Sequence, residues 1–264
     1  MFDRNPLDTR PERMRTPGSA RGSSRREVLL AGGAGAFGFA LSQAPSALAR
    51  SLRHRGGAQE VLNVASQVEV LTTVVTTTAL QKLGASLPQA AIDTIGAASR
   101  EELEHYQVLT RQFGGHAATH RVWVPDAVFA NPTSLFQTLV VGEQICIDLY
   151  LVATTVWAET VSPDLARVGA ELVGNEAVHR ALARQALGLQ PNDRSFMKYD
   201  QVDQADGPGN GTTGFTNAQG AIQSFEAAGV GFGAMGATPG SFYDFDVVRL
   251  STPNPTFVNT REPR

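Results

Sequence analysis

Cysteine is nearly absent: the 264-residue chain has one, Cys146. An intramolecular disulfide is thereby excluded, and a zinc or iron–sulfur site built on thiolates would lack ligands. Any metal must be held by oxygen and nitrogen. A basic surface is missing too. Residues 1–49 carry 7 Lys/Arg against 4 Asp/Glu, net +3, and the remainder carries 15 against 21, net −6, within a total of −3. A mildly acidic main body has no cationic face to displace counterions from phosphates, which argues against nucleic acid as a partner. The chain also lacks a glycine-rich phosphate loop and a Ser-His-Asp arrangement. With 42% hydrophobic residues it can still pack a core without covalent staples.

The cationic excess of residues 1–49 marks a segment to set apart from the fold. Ser24-Arg25-Arg26 leads into an uncharged Gly/Ala-rich stretch from Ala31 that ends Ala47-Leu48-Ala49, a small-x-small cleavage pattern. This is the pattern of a twin-arginine export signal over residues 1–49, which predicts a periplasmic or extracellular protein with no membrane attachment after cleavage. The alternative is an uncleaved anchor, since Val28 to Leu48 is long enough to span a bilayer.

Proline is excluded from the interiors of four long segments, and helix punctuation bounds each of them. The pattern predicts helices from Ala58 to Leu83, stopping at Gly84; from Pro88 to Phe113, ended by Gly114-Gly115; from Asn131-Pro132 to about Glu159; and from Ser162-Pro163 to near Gly188. Val70 to Thr78, a β-branched run, prefers strand, but a breaker-free segment of this length exceeds ordinary strands. Short connections make the first two and the last two helices hairpins. The 18 residues from Gly114 to Asn131 can span about 60 Å when extended, against about 39 Å for the first helix, so this linker can cross the whole bundle. The domain reading is a four-helix bundle over residues 50–190 and a Gly-rich extension over residues 191–264. In the extension, 200–214 reads as loop, Thr216 to Ala228 as a short helix and Phe242 to Leu250 as a short strand. Phe225, Phe242, Tyr243 and Phe245 should pack it on the bundle, and no chemistry is visible in it.

The chemistry lies in a doubled pattern. Glu69 precedes Glu102-Leu103-Glu104-His105 by 33 residues, and Glu143 precedes Glu176-Ala177-Val178-His179 by 33 residues. Residues i and i+3 share a helix face, so each Glu-x-x-His can point both groups at one centre. Two helices giving one Glu each and two giving Glu-x-x-His is the ligand pattern of a dinuclear metal site inside a four-helix bundle. Four buried carboxylates carry −4, which two divalent ions would balance. Oxygen and imidazole donors suit Fe or Mn. The competing reading is a solvated charged face around Arg100 to Glu104, with Glu101, Glu104 and Glu171 flanking the candidates as register alternatives. His116 and His120 read as solvated crossover residues, and His54 as part of a basic stretch. Cys146 and Tyr150 follow Glu143 by 3 and 7 residues and read chiefly as core filling on the site's face, with tuning of the metal ligands as the alternative.

On these six residues the chain resembles the ferritin-like superfamily over roughly Ala58 to Leu187, in particular its exported, desiccation-related members. The resemblance implies an all-α, ferritin-like four-helix bundle with one long crossover. It also implies Glu102 and Glu176 bridging two metals, Glu69 with His105 completing one shell and Glu143 with His179 the other. Two Fe ions, with Mn as the alternative, would react with O₂ or peroxide and oxidise Fe(II). The other function class is a non-enzymatic, stress-associated bundle. A homo-oligomer is compatible with either, whereas the leader and extension depart from a ferritin cage subunit.

Overall fold

The computed structural model describes residues 57–160, 163–197 and 214–261. The expected leader, His54, the Ser162 cap and most of the 200–214 loop lie outside the described residues. Four long helices form the core: α1 (Ala58–Leu83), α2 (Gln89–Arg111), α3 (Pro132–Thr160) and α4 (Pro163–Ala186). Between α2 and α3 runs β1 (Arg121–Pro125). After the bundle come α5 (Gln219–Ala227), β2 (Gly231–Phe232), β3 (Gly240–Asp244) and α6 (Phe245–Val248).

The punctuation acts as its chemistry predicts. The Asn131 side chain accepts from the Ser134 N–H at 2.9 Å, capping α3 just before its first-turn proline. Gly114 (φ 74°) follows the end of α2. Gly188 (φ 71°) closes α4, with Leu189 N donating to Arg184 O at 3.0 Å in a Schellman arrangement. The β-branched run of α1 is helical throughout. Two of its hydroxyls turn back onto the helix, Thr72 to Val68 O at 3.3 Å and Thr76 to Thr72 O at 2.7 Å, while those of Thr73 and Thr78 are buried without a hydrogen bond. Tertiary packing therefore overrides the strand preference.

Helices α1 and α2 pack along each other, as do α3 and α4, and α1 also lies against α3. Every residue of α1 from Val64 to Ala79 is buried, which one helical hairpin partner could not achieve. The extension covers the rest: α5 and α6 rest on α1, and Thr77 meets Thr252 at 3.0 Å. Phe225 and Phe245 are buried in this contact, while Phe242 and Tyr243 are half-buried. Helix α3 is apolar and long enough to cross a membrane, but 67% of its most apolar window is buried inside the protein, as befits a core helix.

Two expectations are corrected. The crossover is not a bare linker: β1 is the central strand of an antiparallel sheet of order β2-β1-β3, pairing Val122 with Phe232 and Tyr243. Val122, Trp123 and Val124 are β-formers whose partners lie over 100 residues away, so no local turn signal announced the pairing. The strand expected over Phe242 to Leu250 spans Gly240–Asp244 and gives way to helix, because the Asp244 side chain accepts from Asp246 N at 2.9 Å and caps α6.

Candidate metal centre

Helix α1 contributes Glu69, α2 Glu102 and His105, α3 Glu143, and α4 Glu176 and His179. The structure brings all six together in the bundle interior, none more than 9% exposed. The two bridging candidates divide their oxygens between the imidazoles. Oε2 of Glu102 lies 3.7 Å from His105 Nδ1 and its Oε1 3.1 Å from His179 Nδ1. Oε1 of Glu176 lies 3.3 Å from His105 Nδ1 and its Oε2 3.2 Å from His179 Nδ1. Glu69 Oε2 stands 3.7 Å from His105 Nδ1, and Glu143 Oε2 stands 4.0 Å from His179 Nδ1. Two four-residue groups result, Glu69-Glu102-His105-Glu176 and Glu102-Glu143-Glu176-His179. In each, one donor atom per residue lies within 4.8 Å of the others. Glu102 and Glu176 belong to both.

Several of these atoms stand near an opposite charge yet make no hydrogen bond inside the protein. Glu102 Oε1, His105 Nδ1, Glu143 Oε2 and Glu176 Oε1 are buried and make no hydrogen bond. Native interiors rarely leave such groups orphaned. The orphans are hard oxygen and imidazole donors converging on two adjacent points, so the donor set fits divalent cations of the Fe or Mn type.

Without ions, protons balance the charge. Burial, together with the Glu102 charge, pushes the Glu69 and Glu143 carboxyls well above the usual range. Burial also raises Glu102, but the His105 and His179 imidazoles beside it outweigh burial and hold this carboxyl well below that range. Glu176 is lowered by the same two imidazoles against burial and the Glu102 charge. Burial depresses both imidazoles, yet Glu102, Glu176 and Glu69 lift His105 well above its ordinary value. Glu101, Glu102 and Glu176 do the same for His179.

Three side chains support the ligands. The Tyr150 hydroxyl donates to Glu69 Oε1. The Thr72 hydroxyl lies 3.0 Å from Glu102 Oε2 and 3.3 Å from Glu69 Oε2. Glu101 Oε2 accepts from His179 Nε2 at 2.7 Å, which leaves Nδ1 toward the carboxylates. A cavity of about 20 Å³, room for one water-sized molecule, reaches Glu143 and His179 between walls that include Ile95, Ala98, Phe136 and Leu139.

Some sequence expectations change here. Glu101 is not a register alternative but the outer partner of His179. Tyr150 is more than core filling, because its hydroxyl binds a candidate ligand. Thr72, three residues after Glu69, shares its helix face by the same i+3 spacing that marks the histidines and reaches the site through its hydroxyl. His120 is a part-exposed loop residue that also has partners: Nδ1 meets Asp246 at 2.7 Å and Nε2 meets the Tyr106 hydroxyl at 3.0 Å. His116 is exposed, Glu104 pairs with Arg100, and Glu171 is exposed, so none joins the cluster.

The family model described as ferritin-like domain matches residues 57–189, half of the chain and all four core helices, and the chain belongs to that family. Comparison with curated proteins finds no match. Comparison with solved structures finds none either.

Proposed function

We propose that the six residues hold two divalent ions, iron or manganese, and that the protein is an oxidoreductase of Fe(II) with O₂ or peroxide as co-substrate. The observation that carries this reading is that Glu102 and Glu176 each present separate oxygens to both imidazoles in a buried setting. When bound, the metal pair supplies one-electron chemistry at each ion and a place for a small oxidant. The chain's own contribution is positional. Glu69 with His105 would hold one ion, Glu143 with His179 the other, and Glu102 with Glu176 both. Four carboxylates bring −4 and two divalent ions +4, so loading removes the repulsion that otherwise demands protons. The largely apolar cavity walls limit water while leaving room for one water-sized molecule at Glu143 and His179.

We propose further that the folded, loaded protein is exported. Arg25-Arg26 ahead of an uncharged stretch ending Ala47-Leu48-Ala49 supports this, because twin-arginine export moves folded cargo. Lys substitution of both arginines should retain the precursor in the cytoplasm.

Metal analysis of the purified protein followed by stopped-flow Fe(II) oxidation under O₂, then under H₂O₂, tests the activity. The expected result is about two ions per chain, lost on Glu102→Ala or Glu176→Ala, with oxidation under one oxidant. A folded, metal-free protein whose stability ignores chelator would overturn the metal reading. A loaded protein inert to both oxidants would end the oxidoreductase reading.

A further inference from the structure

Each ligand of the first hairpin recurs 74 residues later: Glu69 as Glu143, Glu102 as Glu176, His105 as His179. The residues around the ligands do not follow this repeat. Glu101, which holds Nε2 of His179, recurs as Asn175, whose Oδ1 is buried without a partner. No described residue hydrogen-bonds Nε2 of His105. Tyr150, which donates to Glu69, stands at the repeat of Thr76, and Thr76 spends its hydroxyl on Thr72 O at 2.7 Å. Thr72, beside Glu69 Oε2, recurs as Cys146. Glu143 Oε2 makes no hydrogen bond.

The two halves therefore differ in donor strength. A carboxylate accepting the outer N–H makes an imidazole a stronger ligand, and such outer partners change metal affinity about 10–100-fold. A hydroxyl donating to a carboxylate draws charge from it and weakens it as a ligand. His179 gains the first effect, and Glu69 suffers the second. The cavity adds an independent difference, since Glu143 and His179 line it while Glu69 and His105 do not.

We infer that the half-site of Glu143 and His179 binds the first ion and is the one open to a small exogenous ligand, with Glu101 as the positioning residue that sets this order. The Glu69 and His105 half fills second and stays closed. This ranking rests on the reading that the six residues hold two ions, and it assigns to each half a task that the ligands alone, being the same in both, do not distinguish.

The test is a Co(II) titration of the metal-freed full chain, followed by calorimetry and visible absorption, with azide added after one and after two equivalents. The expected result is two binding steps separated by about 10-fold or more, with the azide response complete after the first. Glu101→Gln should weaken the first step about 10-fold and leave the second within a few-fold. Tyr150→Phe should strengthen the second step, narrowing the gap from the other side. Ala98→Leu, which fills the cavity, should suppress the azide response while both Co(II) steps persist. A merely structural role for Glu101 would weaken both steps together. Equal steps in the unaltered chain, an equal loss at both in Glu101→Gln, or azide acting only after the second equivalent would overturn the ranking while leaving two bound ions. Absence of Co(II) binding would remove the dinuclear reading itself.

Discussion

The Tyr150 hydroxyl on α3 donates to Oε1 of Glu69 on α1, joining two fully buried side chains from different helical hairpins. Among the described residues, this is the one hydroxyl contact to Glu69 that reaches across from the second hairpin. Removing it by Tyr150→Phe leaves a buried carboxyl oxygen without its donor. The metal-free protein should lose about 1–3 kcal/mol in urea unfolding. The loaded protein should lose less, because Glu69 then has a second source of charge compensation. Equal stability of the two metal-free proteins would show that the bond contributes nothing.

Loading should release protons, and more at neutral pH than a surface carboxylate site would. In the metal-free protein, burial raises the proton affinity of the Glu69 and Glu143 carboxyls, and the surrounding carboxylates raise that of His105 and His179. Ions need carboxylates and neutral imidazoles, so these protons leave on binding and affinity rises with pH. Calorimetry of Co(II) or Mn(II) binding in two buffers of different ionisation enthalpy should report up to about four protons per chain, from two carboxyls and two imidazoliums. Release below one proton would contradict the charge state drawn here.

The ligand helices were legible because their information is local. Asn131-Pro132, Gly114 and Gly188 act within a turn of themselves, and Glu102 with His105 needs only the helical repeat to share a face. Which face Glu101 takes was not legible: one residue from Glu102, it is rotated about 100° around α2, and its meeting with His179 depends on how α2 and α4 cross. The sheet was hidden for a related reason. Trp123 pairs with Gly231 and Phe242, residues more than 100 positions downstream, and no local pattern fixes such a partner.

Asp193 fastens the segment after α4 to the bundle through two buried guanidiniums. Its Oδ1 accepts from Arg180 Nη1 at 2.8 Å and its Oδ2 lies 3.2 Å from Arg184 Nη2. Burial raises the Asp193 carboxyl, but the Arg180 hydrogen bond and the charges of both arginines outweigh it and hold it below its ordinary value. A depressed carboxyl contributes stability that is complete above the unfolded value, about pH 4, and is lost as pH falls through the folded value. Asp193→Ala takes away the carboxylate shared by Arg180 and Arg184 and should cost about 3–5 kcal/mol at neutral pH. The deficit relative to the unaltered protein should shrink as the pH is lowered. A deficit that does not change with pH would point to packing rather than charge.

Gly236 lets the extension close on the crossover strand. A Cβ there would stand 1.8 Å from Gly229 O and 2.7 Å from Trp123 Cδ1, distances that no side-chain rotation relieves because the first is to backbone. Gly229, just before β2, has φ 91°, and a Cβ on it would meet Thr238, so the partner side of this contact is equally closed to a larger residue. Gly236→Ala should therefore loosen β2 and β3 from β1 and cost about 1–3 kcal/mol. Amide exchange should accelerate at Val122 and Trp123, the residues paired on both sides. The six candidate ligands sit on α1 to α4, and the extension supplies none of them among the described residues, so metal stoichiometry should be unchanged. Loss of metal together with faster exchange would mean that the extension, whose helices α5 and α6 rest on α1, also holds Glu69 in place.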